Sequence, residues 1–170
     1  MPNYKIMDGA LQLAAREGVA GTAAQGMRVA LVAARFNADI VDRMVQGATA
    51  AWLRQGGDPA QLLLVRAPGA FELPLLARKL AATQRYDAIV ALGCVIRGDT
   101  AHFDFVAGEA ARGIADAARD TGVPVIFGVL TTENLEQALE RASPDRMDKG
   151  GEAVDAALEM ALLLRQIDAP

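Results

Sequence analysis

The chain has 170 residues, 52% of them hydrophobic and 22% charged, with a formal net charge of −4. That length fits one domain with a real core, and the absence of a basic stripe argues against nucleic acid as a partner. A single cysteine, Cys94, excludes an internal disulfide and fits a cytoplasmic setting.

The first 25 residues are rich in Ala and Gly and are expected to form a flexible N-terminal arm, with residues 26–170 as a single domain. The arm lacks the apolar core of a signal peptide. No stretch of 18 apolar residues appears, so no membrane span is expected.

Four apolar runs then read as strands: "MRVALVAA" (27–34), "QLLLVRA" (61–67), "DAIVALGCVI" (87–96) and "VPVIFGVLT" (123–131). They are nearly continuous rather than alternating, as in parallel strands buried on both faces. Between the first two, "DIVDRMVQGATAAWLRQGG" sets Ile40, Met44, Val45, Ala48, Ala51 and Trp52 at helical spacing, and Gly56-Gly57 ends the helix. "ELPLLARKLAATQRY" and "FDFVAGEAARGIADAARDTG" read as the second and third helices. "TENLEQALERA" and "GGEAVDAALEMALLLRQI" close the chain. The order βαβαβαβαα predicts an α/β/α sandwich around a four-stranded parallel sheet with right-handed crossovers.

In such sheets ligands bind outside the carboxyl ends of the strands. The segments there are Arg35-Phe36-Asn37, Pro68 to Glu72, Arg97 to His102, and Thr131 to Asn134. Asp99 and Thr100 precede a helix; they suit either a phosphate on free backbone N–H groups or plain helix capping. His102, the only histidine, is a candidate for proton transfer near neutral pH or a structural residue. Glu72 suits a hydroxyl acceptor or a first-turn helix charge. Phe36 suits a stacking ring or core filling. Cys94 lies in an apolar run and reads as a small buried hydrophobe. Arg141 ends a helix that starts from a strand-end loop, where it could help hold an anion. One His and one Cys cannot form a His/Cys metal cluster. The dinucleotide fingerprint, the P-loop and the serine-hydrolase elbow are all missing.

The segments "ARFN", "APGAFELP", "ALGCVIRGDTAHFDFVAGEAARGI", "GVPVIFGVLTTENLEQALERA" and "DKGGEAVDAALEMA" run in the order and at spacings similar to those of 6,7-dimethyl-8-ribityllumazine synthases. The resemblance covers residues 27 to 165. It implies a flavodoxin-like fold and a transferase that condenses 5-amino-6-(D-ribitylamino)uracil with 3,4-dihydroxy-2-butanone 4-phosphate. The product would be 6,7-dimethyl-8-ribityllumazine, formed at the penultimate step of riboflavin synthesis, with no cofactor and no metal.

By the same resemblance Phe36 would stack on the uracil ring, and Ala70, Phe71 and Glu72 would line the ribityl and pyrimidine site. Cys94, Val95 and Ile96 would offer backbone groups. Asp99 and Thr100 would bind phosphate with help from Arg141. His102 would move protons, Phe127 would reach in from a neighbouring subunit, and Lys149 would sit near the site. A homopentamer is the smallest implied assembly, with decamers or 60-subunit shells as larger ones and riboflavin synthase as a protein partner. The alternative carried by the same pocket is a non-catalytic lumazine- or flavin-binding paralogue or a shell protein. Three departures stand out: Asp99 sets a carboxylate beside the expected phosphate, Phe105 stands where Tyr is frequent, and "DKG" replaces "NKG".

Overall fold

The computed structural model describes residues 21–170. Strand β1 (Val29–Ala34) is followed by α1 (Ala38–Arg54), β2 (Leu62–Ala67), α2 (Leu73–Ala82), β3 (Ala88–Ile96), α3 (His102–Thr121), β4 (Val125–Thr132), α4 (Leu135–Ala142) and α5 (Lys149–Asp168). All strand pairs are parallel, in the order β2-β1-β3-β4. This is the expected three-layer α/β/α sandwich of flavodoxin-like type.

Side-chain alternation along β1 divides the core in two. Val29, Leu31 and Ala33 face α1, α4 and α5. Ala30, Val32 and Ala34 face α2 and α3. Both faces of β1 are buried along its whole length, which is why its sequence is an unbroken apolar run. Trp52 anchors the first layer: it is fully buried and its indole N–H donates to the Asp58 carbonyl at 3.0 Å. The predicted face of α1 holds except that Val45 is only half-buried, while Val41 joins the core.

At Gly150 the backbones of α1 and α5 meet with no side chain between them. A Cβ on Gly150 would lie 2.0 Å from the Met44 carbonyl oxygen, so only glycine fits there. Beside it, Asp148 caps α5 by accepting from the Gly151 N–H at 3.1 Å.

The expectation that all four strands are buried on both faces fails at β2. Leu63, Leu64 and Arg66 are exposed, and only Ala67 is buried. The physical reason is position: β2 is an edge strand, paired on one side alone. Edge strand β4 is likewise interrupted, with Phe127 and Thr131 exposed. Helix α2 is also shorter than predicted. A 3₁₀ turn, Ala70–Glu72, leads into it, and it ends at Ala82 before Gln84 turns to a φ of 56°.

Of the stretch expected as an arm, residues 1–20 lie outside the described residues. Residues 21–25 are docked on the end of α1: the Gly21 and Ala24 N–H groups donate to the Arg54 and Gln55 carbonyls, and Ala24 is buried. Among the described residues no helix is long and apolar enough to cross a membrane.

Candidate active site

Strand order reverses direction between β1 and β3, where the β1 connection leads outward to β2 and the β3 connection to β4. Loops that depart to opposite sides leave a crevice at that point. The crevice is a cleft of about 690 Å³. Its walls come from three strand ends: Phe36 after β1, Pro68 to Glu72 after β2, and Cys94 to Ile96 with Gly98, Thr100 and His102 from β3 into α3. Three chain segments far apart in sequence thus meet because parallel strands deliver all their carboxyl ends to one rim.

Each wall has a local cause. β1 ends at Ala34, and Asn37 takes a left-handed conformation (φ 57°) that starts α1 and leaves Phe36 turned out. Phe36 is 70% exposed, so it is not a core filler. Gly69 lets the next wall close up: a Cβ there would lie 3.2 Å from the Glu72 carboxylate and 4.0 Å from the Phe36 Cβ. The Glu72 carboxylate and the Phe36 ring therefore flank the same patch of backbone. Ala70 is buried beneath them, while Phe71 is exposed.

The third wall is backbone. β3 runs past the end of β1 while still paired with β4 as far as Ile96–Thr132. Alternation directs the Arg97 N–H to the β4 side, where the Thr132 carbonyl accepts it at 2.8 Å. The peptide groups of Cys94 and Ile96 therefore point to the other side, where β1 has run out. The Asn37 amide fills part of that gap by donating to the Cys94 carbonyl at 2.9 Å. By the same alternation the Ile96 N–H and carbonyl face the cleft that this residue lines. The Cys94 side chain is buried, and burial pushes its thiol up to about 11, so it is packing and not a nucleophile.

The fourth wall is the start of α3. Neither Asp99 nor Thr100 caps it: the N-cap is Ala101, with no side-chain bond, and Thr100 Oγ accepts only from the His102 N–H at 3.3 Å. The His102 N–H is engaged by Thr100 and the Asp104 N–H by the Ala101 carbonyl at 3.0 Å, while the positive end of the helix dipole lies at this wall of the cleft. Thr100 and His102 line the cleft, whereas Asp99 lies between lining residues without lining it. Phe103, Phe105 and Val106 complete this wall. They went unrecognised as site residues in the sequence, although the helix start at His102 sets Phe105 and Val106 three and four residues on, hence on the same face.

Phe127, Arg141 and Lys149 are brought together, but not here. They line a separate pocket of about 380 Å³ with Ile126, Gly128 to Thr131 and Glu152. This pocket lies along the free edge of β4. Arg141 donates to the Gln137 carbonyl at 3.1 Å, and the Lys149 ammonium pairs with Glu152 at 2.6 Å. The expectation that Arg141 shares a site with Asp99 and Thr100 is therefore not met within one chain. The reason is topological: α4 and α5 pack with α1 on one face of the sheet, and α3, which follows Thr100, packs on the other. No group of three or more His, Cys, Asp and Glu among the described residues is arranged to hold a metal ion.

The family model for 6,7-dimethyl-8-ribityllumazine synthase matches residues 26–165, which includes every wall of the cleft and the whole β4 pocket. The chain is 51% identical over 152 residues to a protein of that name from Chlorobium chlorochromatii, covering 89% of this chain and 98% of the relative. It is 54% identical over 145 residues to the one from Deinococcus radiodurans (85% and 94%). It is 52% identical over 144 residues to the one from Nitratidesulfovibrio vulgaris (85% and 92%). A doubly wound sheet with its crevice at the strand-order reversal, matched along nearly its full length, leaves one assignment: this chain belongs to the 6,7-dimethyl-8-ribityllumazine synthase family.

Proposed function

We propose that the β1–β3 cleft is where this chain condenses 5-amino-6-(D-ribitylamino)uracil with 3,4-dihydroxy-2-butanone 4-phosphate to give 6,7-dimethyl-8-ribityllumazine, releasing phosphate and water. The observation that carries the reading is the convergence of Phe36, Ala70 to Glu72, Cys94 to Ile96, Thr100 and His102 on one cleft.

The division of labour follows from the walls. Phe36 offers a ring face to the pyrimidine. Glu72 accepts from ribityl hydroxyls, next to Ala70 and Phe71. The Ile96 peptide, with Cys94 and Val95 on either side of the same strand end, pairs with the edge of the heterocycle. The ketone phosphate lies at the start of α3, where Thr100 and the backbone N–H groups of the segment from Asp99 receive its oxygens. Asp99 contributes backbone only, its side chain lying clear of the anion.

The substrate amine attacks the ketone, and the carbinolamine loses water to form an imine. Phosphate elimination follows, and ring closure on the second carbonyl expels another water. Each step moves a proton. His102, in the first turn of α3, sits between the two substrates and serves as donor and acceptor. The departing phosphate draws stabilisation from the helix start and from a cation. Holding two reactants in register supplies most of the acceleration.

The cation comes from a neighbouring subunit. A cleft with no lysine or arginine among its lining residues, and an edge pocket holding Phe127, Arg141 and Lys149, are complementary halves. A head-to-tail contact of the β4 edge of one subunit with the cleft of the next closes into a ring. A homopentamer is the smallest such assembly, with decamers or shells of 60 built from it. The exposed rings of Phe71, Phe105 and Phe127 support burial in such a contact. We place the enzyme in the cytoplasm, with riboflavin synthase as the partner that takes its product.

Incubating the purified protein with both substrates tests the reading. The expected outcome is growth of the lumazine's absorbance and fluorescence; no product from a folded protein would overturn it.

A further inference from the structure

The start of α3 poses a mechanical question. It carries Thr100 and His102, yet its N-cap has no side-chain bond and the turn from Gly98 to Ala101 is exposed. Two local bonds, His102 N–H to Thr100 Oγ at 3.3 Å and Asp104 N–H to the Ala101 carbonyl at 3.0 Å, close the first turn on itself but do not tie it to the sheet. Something else must set its position.

Arg97 is placed to do so. Its backbone is fixed by the bond from its N–H to the Thr132 carbonyl at 2.8 Å. Its guanidinium then reaches three ways. It pairs with Asp104 in the first turn of α3 at 3.3 Å and with Glu133, just past β4, at 3.0 Å. It also lies over the Phe103 ring, 4.2 Å from the centroid. Arg97 itself does not line the cleft, but Phe103 does, and Phe103 directly follows His102. A planar fork that is stacked and paired at once is a geometry only arginine provides.

We infer that Arg97 is a positioning residue of this active site: it braces the first turn of α3 against the ends of β3 and β4, and so sets where His102 and the phosphate-facing N–H groups stand. The inference rests on the phosphate reading given above. It is not a claim about stability, because exposed ion pairs add little to that.

The test is steady-state kinetics of the full-length Arg97→Met and Arg97→Lys enzymes, with inorganic phosphate as a product inhibitor and Thr100→Ala as reference. Arg97→Met should lower kcat roughly tenfold through misplacement of the first turn. The KM for the ketone phosphate and the Ki for inorganic phosphate should each rise several-fold. The KM for the aminouracil, held by the opposite walls, should stay within about twofold, and the melting temperature should move by less than about 3 °C. Arg97→Lys should recover only part of kcat, since it restores the charge but not the fork. Asp104→Asn and Glu133→Gln should each reproduce part of the defect. Wild-type constants in Arg97→Met overturn the inference. So does a rise in both KM values together with a large fall in melting temperature, which marks a general folding role. If Thr100→Ala weakens phosphate inhibition and Arg97→Met does not, the brace alone fails. If neither does, the phosphate reading fails and the brace with it.

Discussion

The β1–β3 cleft and the β4-edge pocket are built from different materials. The cleft is backbone and rings: a strand end without a neighbour, glycine turns, Phe36, Phe71, Phe103 and Phe105, and one histidine. The edge pocket holds the cations Arg141 and Lys149 on helix ends, beside Phe127. The cleft can grip flat rings and hydroxyls and can receive an anion on N–H groups, but it has no cationic side chain to neutralise that anion. The edge pocket has the charge and no crevice. Each half lacks what the other holds, which is what a site shared between subunits requires.

The sharpest way to break this comparison is Arg141→Ala. If the edge supplies the phosphate's cation, kcat/KM for the ketone phosphate should drop about a hundredfold, as expected when one partner of a charge-assisted pair is removed. An unchanged kcat/KM would separate the edge from the chemistry. His102→Ala, on the cleft side, should cost roughly tenfold in kcat without abolishing turnover, because positioning carries most of the acceleration. Complete loss in a folded enzyme that still binds both substrates would contradict this.

Mixing sharpens the same contrast. Phe36→Ala damages only the cleft half and Arg141→Ala only the edge half. Co-refolded one to one, they should regain up to about a quarter of the sites as fully native pairs. A site contained in one chain would show no recovery, as judged by lumazine fluorescence.

The smallest effect concerns the strand beneath the cleft. The buried Cys94 thiol is pushed up from 9.0 to about 11, so the folded state keeps its proton where the unfolded state loses it. Its contribution to stability is therefore complete below pH 9 and is lost as pH rises towards 11, by about 3 kcal/mol. Denaturant titrations of wild type and Cys94→Ala should converge across that range.

The sequence was most legible where one physical rule governed many residues. Continuous apolar runs located β1 and β3, and the rule that ligands meet strand ends assembled Phe36, Glu72 and His102 before any coordinates. It misled at β2, because "LLLVRA" reads the same whether both faces are covered within the chain or a face is left open at an edge. The Phe103 and Phe105 contributions were hidden because a helix face cannot be assigned until its first residue is known. Predicting the start at Phe103 rather than His102 obscured it. The Asn37 bond to the Cys94 carbonyl bridges 57 positions, and no local pattern announces it. The separation of Arg141 from Thr100 follows from where α4 and α5 pack, which spacing along the chain does not encode.

The bare contact between Gly150 and the Met44 carbonyl bears on that same edge. Two backbones that touch leave no soft layer of side chains to absorb a slip. At that point helix α5 has little room to shift towards α1. Lys149, one residue before Gly150, therefore departs from a fixed origin, and its ammonium wanders only as far as four methylenes allow. A neighbouring cleft would meet a cation whose scatter is that of one side chain, not of a whole helix.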